Sequence, residues 1–365
     1  MDPLILAIYL PQYYRTEYND RWWGEGYTEW TACKKAMPLF EGHVQPRIPY
    51  REYDLSQPDS IYNQVSMAKE YGIDGFVIYQ YYSLGNKLLE VPTESILRDK
   101  NIDARFCLYW ANESWESRWY GQETKVLWKQ EYGTEQDWKD QFSYCLPFFQ
   151  DDRYIKVDNK PVYIIYKDWN FKAVDQFIQC WNQLAKQNSF DGIYFIKTVA
   201  GGNTDEPGLF NATFEREPFY TFTHGLPFLS RVGRYARSRV MEVVNKKILM
   251  KMKKGIIQYR PNYQKCCDLI ARRGMVNGAR TIPGAFTDWD NSPRRQFNST
   301  VFEGVSPEIF EDCLRAQYRK AAEAGSPFVI INAWNEWGEG NYLEPDQYYG
   351  DGFLQAVRNV KEMAK

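Results

Sequence analysis

Short apolar runs recur along the chain with helix-period segments between them. The runs are LILAIYL (4–10), GFVIYQYY (75–82), ARFCLYWA (104–111), PVYIIYK (161–167), GIYFIKTV (192–199), ATFEREP (212–218), RTIPGAFTDW (280–289) and FVIINAW (328–334). Their length, β-branched and aromatic content and bounding turn residues predict buried strands. In the last of them Gly325-Ser326-Pro327 is a turn signal, and the four residues that follow, Phe328 to Ile331, are all apolar. A strand apolar at every position has both faces covered, as in a parallel sheet under helices. Between the strands, helical periodicity predicts helices over 60–71, 134–149, 175–187 and 307–324, and a closing helix over 352–364. Ser306 and Pro307 are the N-cap and first-turn residues expected of the fourth.

Eight such alternations predict an α/β fold, a single (β/α)8 TIM barrel. Barrels of this kind need about 250 residues, so the surplus in a 365-residue chain becomes elaborated βα loops. The competing architecture is an open doubly wound sheet. It lacks support, because neither G-x-G-x-x-G after the first strand nor G-x-x-x-x-G-K-[ST] occurs. No internal repeat or low-complexity linker marks off a second unit, so 1–365 reads as one domain. Residues 226–275, before the seventh strand, form a basic helical insertion, with 13 Lys or Arg against Glu242 and Asp268 in a chain of net charge −2. Met241, Val244, Ile248 and Met252 make one helical stripe within it. Such a helix, spanning 231–254, either packs on the barrel through the stripe or lies on an anionic membrane surface.

The start of the chain shows no basic and apolar leader pattern, and no apolar stretch approaches the roughly 20 residues of a membrane span. Seven cysteines without metal spacing fit a reducing compartment. The expected location is therefore cytoplasmic, with peripheral contact at the inner membrane face if the basic helix binds lipid. A net charge of −2 gives no general attraction to nucleic acid. Aromatic residues make up 17% of the chain, with 13 Trp and 28 Tyr. They serve either as bulky core or as flat faces for sugar rings.

In a barrel, the residues that follow each strand share one face. After the first strand stand Gln12, Trp22, Trp23, Glu29 and Trp30, and the second ends in Tyr81 and Tyr82. The third is followed by Asn112, Glu113, Trp115, Arg118 and Trp119. Glu215 and Glu217 follow the sixth, and Asp288, Asp290 and Arg294 the seventh. The eighth brings Trp334, Asn335, Glu336, Glu339 and Glu344. Carboxylates and aromatics thus gather at one end, a composition suited to breaking a glycosidic bond with one protonated and one ionised carboxyl. A histidine-rich metal site is excluded by the presence of only His43 and His224, and no G-x-S-x-G elbow occurs. No metal or cofactor is implied.

Five blocks carry a resemblance: YLPQYYRTEYNDRWWGEGYTEW (9–30), YWANESWESRWYG (109–121), KPVYIIY (160–166), FTDWDNSPR (286–294) and NAWNEWGEGNYLEPD (332–346). They resemble the WbsX-like proteins of bacterial surface-polysaccharide clusters, which are related to glycoside hydrolase family 99, the endo-acting α-mannosidases and mannanases. The resemblance implies a retaining reaction through a 1,2-anhydro sugar. Glu336 would take the proton of the sugar 2-hydroxyl, and Glu339 would protonate the leaving group. The hydrolases have histidine where this chain has Gly338.

Two other resemblances stand beside it. Asn112-Glu113 is similar to the acid/base pair of other barrel glycosidases, making Glu113 an alternative partner for Glu336, and Asp288-Trp289-Asp290 has the D-x-D form of metal-dependent glycosyltransferases. Three functions remain open: a glycoside-cleaving enzyme, a glycosyltransferase of polysaccharide assembly, and a non-catalytic glycan-binding protein. The expected partner is an oligosaccharide or polysaccharide, free or lipid-linked.

Overall fold

The computed structural model describes residues 2–116, 126–201, 203–226, 259–295 and 299–363, together with 233 and 240. Arg118 and Trp119 lie outside these residues, as does the basic stretch 231–254 apart from Gly233 and Val240.

All eight expected strands form. They are β1 (Leu4–Tyr9), β2 (Gly75–Ser83), β3 (Phe106–Trp110), β4 (Lys160–Ile165), β5 (Tyr194–Val199), β6 (Ala212–Glu215), β7 (Thr281–Ile282 and Gly284–Phe286) and β8 (Phe328–Asn332). Each pairs in parallel with the next, and β8 returns to β1 with Leu4 opposite Phe328 and Ala7 opposite Ile331. The result is a TIM barrel. Its seam is at β7, where Pro283 has no N–H for the ladder. The first piece of β7 pairs with β6 and the second with β8. Gly284 is needed here, since a Cβ would stand 2.1 Å from the Glu215 carbonyl oxygen.

Helices surround the strands. The long connection after β1 holds α1 (Glu17–Trp23), α2 (Glu29–Lys35) and α3 (Pro58–Glu70). Further along come α4 (Val91–Arg98), α5 (Glu135–Gln150), α6 (Val174–Gln187), α7 (Tyr263–Arg272), the short α8 (Ser292–Arg295), α9 (Pro307–Ala324) and α10 (Gly352–Met363). The Ser306 side chain accepts from the Ile309 N–H at the start of α9, and Gly325 ends that helix with φ 73°, the left-handed turn a glycine takes without steric cost. The alternation fails once. Among the described residues no helix separates β5 from β6, which are joined by a loop. No helix among the described residues is long and apolar enough to cross a membrane.

Strand alternation decides what faces the barrel axis. On β2, Tyr79 stacks on Tyr109 of β3, with ring centroids 5.0 Å apart, whereas Tyr82 turns outward and stacks on Tyr144 of α5.

Candidate functional site

The chain leaving β8 turns back on itself. Asn335–Glu336 pairs antiparallel with Asn341–Tyr342 around a 3-10 turn, Trp337–Glu339, closed by Gly340 at φ 63°. Asn335, fully buried, fixes this hairpin to the chain leaving β1: its Oδ1 accepts from Leu10 N at 2.7 Å and its Nδ2 donates to Leu10 O at 3.0 Å. The Tyr13 hydroxyl donates to Asn335 O at 2.5 Å and accepts from Trp337 N at 3.1 Å. Behind the hairpin, Glu344 accepts from Trp337 Nε1, Tyr53 Oη and Gln64 Nε2 at 2.6, 2.8 and 2.7 Å. Burial pushes its carboxyl up to about 7 despite these donors. These contacts give Glu336 and Glu339 a fixed mounting.

The carboxylates converge on one guanidinium. Arg294, from α8, is 2.5 Å from Glu29, 2.9 Å from Glu339 and 3.3 Å from Glu336. Glu29 is fully buried at the start of α2, and its Oε2 lacks a hydrogen-bond partner. Glu336 is buried, while the Glu339 side chain remains 21% exposed. Burial raises the Glu336 carboxyl to about 8, helped by the charges of Glu339 and Glu29 and opposed by Arg294 and Arg216. The turn can approach so closely because residue 338 is glycine. A Cβ there would lie 2.2 Å from Glu29 Oε1 and 2.6 Å from Arg294 Nε, so the Glu29–Arg294 pair fills the space a histidine would take.

The remaining predicted residues fall into three groups. Around the carboxylates, Tyr81 is buried and feels both Glu336 and Glu113, and its ring meets half-buried Trp115 edge-on at 5.0 Å. On the connection after β1, Gln12 and Trp23 are half-buried and Trp22 is exposed. Glu113 is partly open and pairs with Lys167. A second group supports the wall. Trp30 packs on Tyr13 and Trp337, Trp334 packs on Phe76, and Asn112 exchanges hydrogen bonds with the backbone of Lys167 at 2.7 and 2.9 Å.

In the third group the side chains are committed to other partners, although the Asp290 N–H donates to Glu339 O at 2.8 Å. Glu215 and Glu217 both bind Arg273, at 2.8 and 2.5 Å, beside α7. Asp288 and Asp290 line a cavity of about 280 Å³ whose lining includes neither Glu336 nor Glu339. Burial pushes Asp288 up to about 7 against the pull of Arg47. Burial also acts on Asp290, but donors from His43, Ser292 and Gln45 hold its carboxyl below the ordinary value. Those bonds, at 2.8, 3.0 and 2.6 Å, commit both of its oxygens to protein partners. Among the described residues, no group of three or more His, Cys, Asp or Glu side chains is arranged to hold a metal ion.

The profile of the glycosyltransferase WbsX family matches residues 5–357. The chain belongs to the WbsX family. It is 31% identical over 362 residues to the uncharacterized protein WxcX of Xanthomonas campestris pv. campestris, covering 98% of this chain and 49% of that protein. The chain thus spans about half the length of the curated relatives it matches. The family 99 endo-α-mannosidase of Bacteroides thetaiotaomicron superimposes with a TM-score of 0.56 at 13% identity, over 100% of this chain and 97% of that one. A glycoside hydrolase-like protein gives 0.58 at 13% identity, covering 98% and 94%. At such identity these two likenesses concern the fold.

Within this WbsX-family barrel, one residue escaped the sequence reading. Arg216 follows β6 directly and turns to the axis, donating to Tyr79 Oη at 3.0 Å and to Tyr166 Oη at 3.4 Å. Its neighbours Glu215 and Glu217 had drawn attention as carboxylates. The available signal was parity, since in an extended segment residue 216 points opposite to 215 and 217.

Proposed function

We propose that the protein is a carbohydrate-active enzyme that breaks a glycosidic bond in an oligosaccharide or polysaccharide, with Glu336 and Glu339 as the working pair and with retention of configuration. The supporting observation is the crowding of three carboxylates on the one guanidinium of Arg294. One cation cannot compensate three buried or half-buried anions, so a proton is retained near neutrality, and burial places it on Glu336. Acetal cleavage uses such a proton-holding pair. Passing that proton to Glu339 leaves Glu336 ionised, a stronger base than an ordinary carboxylate and suited to drawing the proton from a sugar 2-hydroxyl. Glu339, the more open of the two, then protonates the departing oxygen and later activates water. Tyr81, Trp115, Trp22, Trp23 and Gln12 form the sugar-facing surface in this reading. Asn335, Glu344, Trp30, Trp334, Asn112 and Tyr82 support it from behind.

The family description favours a second reading on the same residues, in which a sugar hydroxyl replaces water and the bond is transferred. One experiment separates these readings and tests the pair. Purified protein is incubated with candidate glycans and aryl glycosides, with and without an acceptor sugar, and the products are followed. Hydrolysis releases new reducing ends without acceptor, whereas transfer requires it. Glu339→Gln is expected to lose turnover on poor leaving groups and retain more on activated aryl glycosides, which need less acid assistance. Glu336→Gln loses both. Equal losses in Glu339→Gln on the two substrate types would refute the assignment, and turnover persisting in Glu336→Gln would point to Glu113.

Polysaccharide assembly with a lipid-linked substrate would bring the 231–254 stretch to an anionic membrane. Binding to anionic vesicles that weakens as salt rises is the expected outcome. No binding at low salt would remove this part of the reading.

A further inference from the structure

Among the described residues, the largely buried arginines follow a rule with one exception. Arg47, Arg153, Arg273 and Arg294 have side chains 10%, 11%, 14% and 13% exposed, and each holds at least one carboxylate. Arg216 is 5% exposed and makes no ion pair with any described residue. Two phenol hydroxyls, those of Tyr79 and Tyr166, are its hydrogen-bond acceptors, and its Nε is buried without a partner. The guanidinium also lies 5.3 Å from the Tyr166 ring centroid and 5.0 Å from that of Phe219. Neither phenol neutralises it, because burial pushes Tyr79 well above the ordinary tyrosine value and Tyr166 up to about 12.

Keeping a cation out of water with neutral acceptors is costly unless a counter-charge arrives. The carboxylates whose fields reach Arg216, Glu339 and Glu336, are already bound to Arg294. The mouth of the barrel is therefore polarised. Carboxylates crowd the side formed by β1, β7 and β8, and an incompletely satisfied guanidinium stands at the end of β6. A planar guanidinium with free donor capacity matches the oxygens of a carboxylate or phosphate.

Resting on the enzymatic reading above, we infer that Arg216 receives a negatively charged group of the substrate, so that the glycan carries an acidic substituent or is presented as a glycosyl phosphate. The anion would approach the β6 side of the mouth while the bond to be broken lies toward Glu336 and Glu339.

The test uses the full chain and three probes: sodium glucuronate, inorganic phosphate and glucose. Affinity is measured by calorimetric titration for the wild type, Arg216→Met and Arg216→Lys. The wild type is expected to bind at least one anion and to prefer it over glucose. Arg216→Met should weaken that binding about tenfold or more, as expected for loss of a charged hydrogen bond. Arg216→Lys, which keeps the charge and loses the fork, should fall between, and it carries the test if the Met variant does not fold. Phosphate binding alone identifies a phosphorylated donor, and glucuronate binding alone an acidic sugar. The inference is overturned if neither anion binds, or if the variants bind as the wild type does, which would place the anion elsewhere. Its failure is distinguishable from failure of the enzymatic reading: wild-type turnover of a neutral glycan, abolished in Glu336→Gln, would leave the latter standing.

Discussion

Two pairs of glutamates follow strands of this barrel, and they differ in how their charge is met. Glu215, the last residue of β6, and Glu217, two residues on, face away from the axis and share Arg273. Glu336 and Glu339, three residues apart after β8, share Arg294 with a third carboxylate, Glu29. The first set has two anions to one cation and the second three to one. Burial lifts the carboxyls of both Glu215 and Glu336, and the second set differs in adding a further, fully buried carboxylate, Glu29 of α2, around the same cation.

That comparison can be broken at several points. The largest expected effect is on turnover: Glu336→Gln should lower it about 10²–10⁴-fold, the usual range for a general base or acid, while Glu215→Gln should leave the chemical step far less affected. Comparable losses in both variants would erase the distinction between the two pairs.

Next in size are the cations. Arg294→Met strands Glu29, Glu336 and Glu339 together, and Arg273→Met strands Glu215 and Glu217. Each should cost about 3–5 kcal/mol in urea denaturation, the range for breaking a buried pair by removing one partner. Arg294→Met should be the more sensitive to rising pH, having more carboxylates left to ionise. Unchanged midpoints would show that water compensates these charges.

Gly338→Ala should be milder. Its new Cβ would stand 2.2 Å from Glu29 Oε1, and such overpacking costs about 1–3 kcal/mol. Glu29→Ala in the same chain should recover part of the loss, which a double-mutant cycle would show as coupling. Strict additivity would mean that the turn, rather than the carboxylate, bears the strain.

A further effect is the pH dependence of stability. A carboxyl whose folded-state value lies above its unfolded one stabilises the fold at low pH and loses that contribution as pH rises through the folded value. For Glu336 the window runs from the ordinary 4.5 to about 8, and for Asp288 and Glu344 it closes near 7. Thermal stability should therefore decline between about pH 5 and 8. Glu336→Gln should flatten the upper part of that decline. An upward slope in the wild type would overturn the assignment of the proton to Glu336.

Much of the fold was legible because each strand is a local signal. PVYIIYK and FVIINAW are apolar over consecutive positions and could hardly be anything but buried strands, and Ser306-Pro307 announces α9 through backbone chemistry alone. The loop between β5 and β6 was less legible. GGNTDEPG within 201–208 is rich in turn residues, but the expectation of alternation passed over it. For the site, the sequence put Glu336 and Glu339 behind a strand and Glu29 and Arg294 on other loops. It could not put Glu29 and Arg294 against Gly338, because Glu29 is hundreds of positions from both of the others and Arg294 and Gly338 lie on opposite sides of a whole helix and strand.

The amino-acid sequence by itself determined the eight strands, the parallel barrel they imply, the gathering of acidic and aromatic residues beyond the strands' ends, and the membership blocks that resemble the family. These depend on local periodicity and composition, which neighbouring residues define. Tertiary structure alone decided which carboxylate burial biases toward its protonated form, that Asn335 and Glu344 are bound up in the wall, and that Arg216 faces the axis while Glu215 and Glu217 face Arg273. The physical reason is that protonation and pairing follow from burial and from charges within a few ångströms, and in a closed barrel those neighbours come from strands distant in sequence.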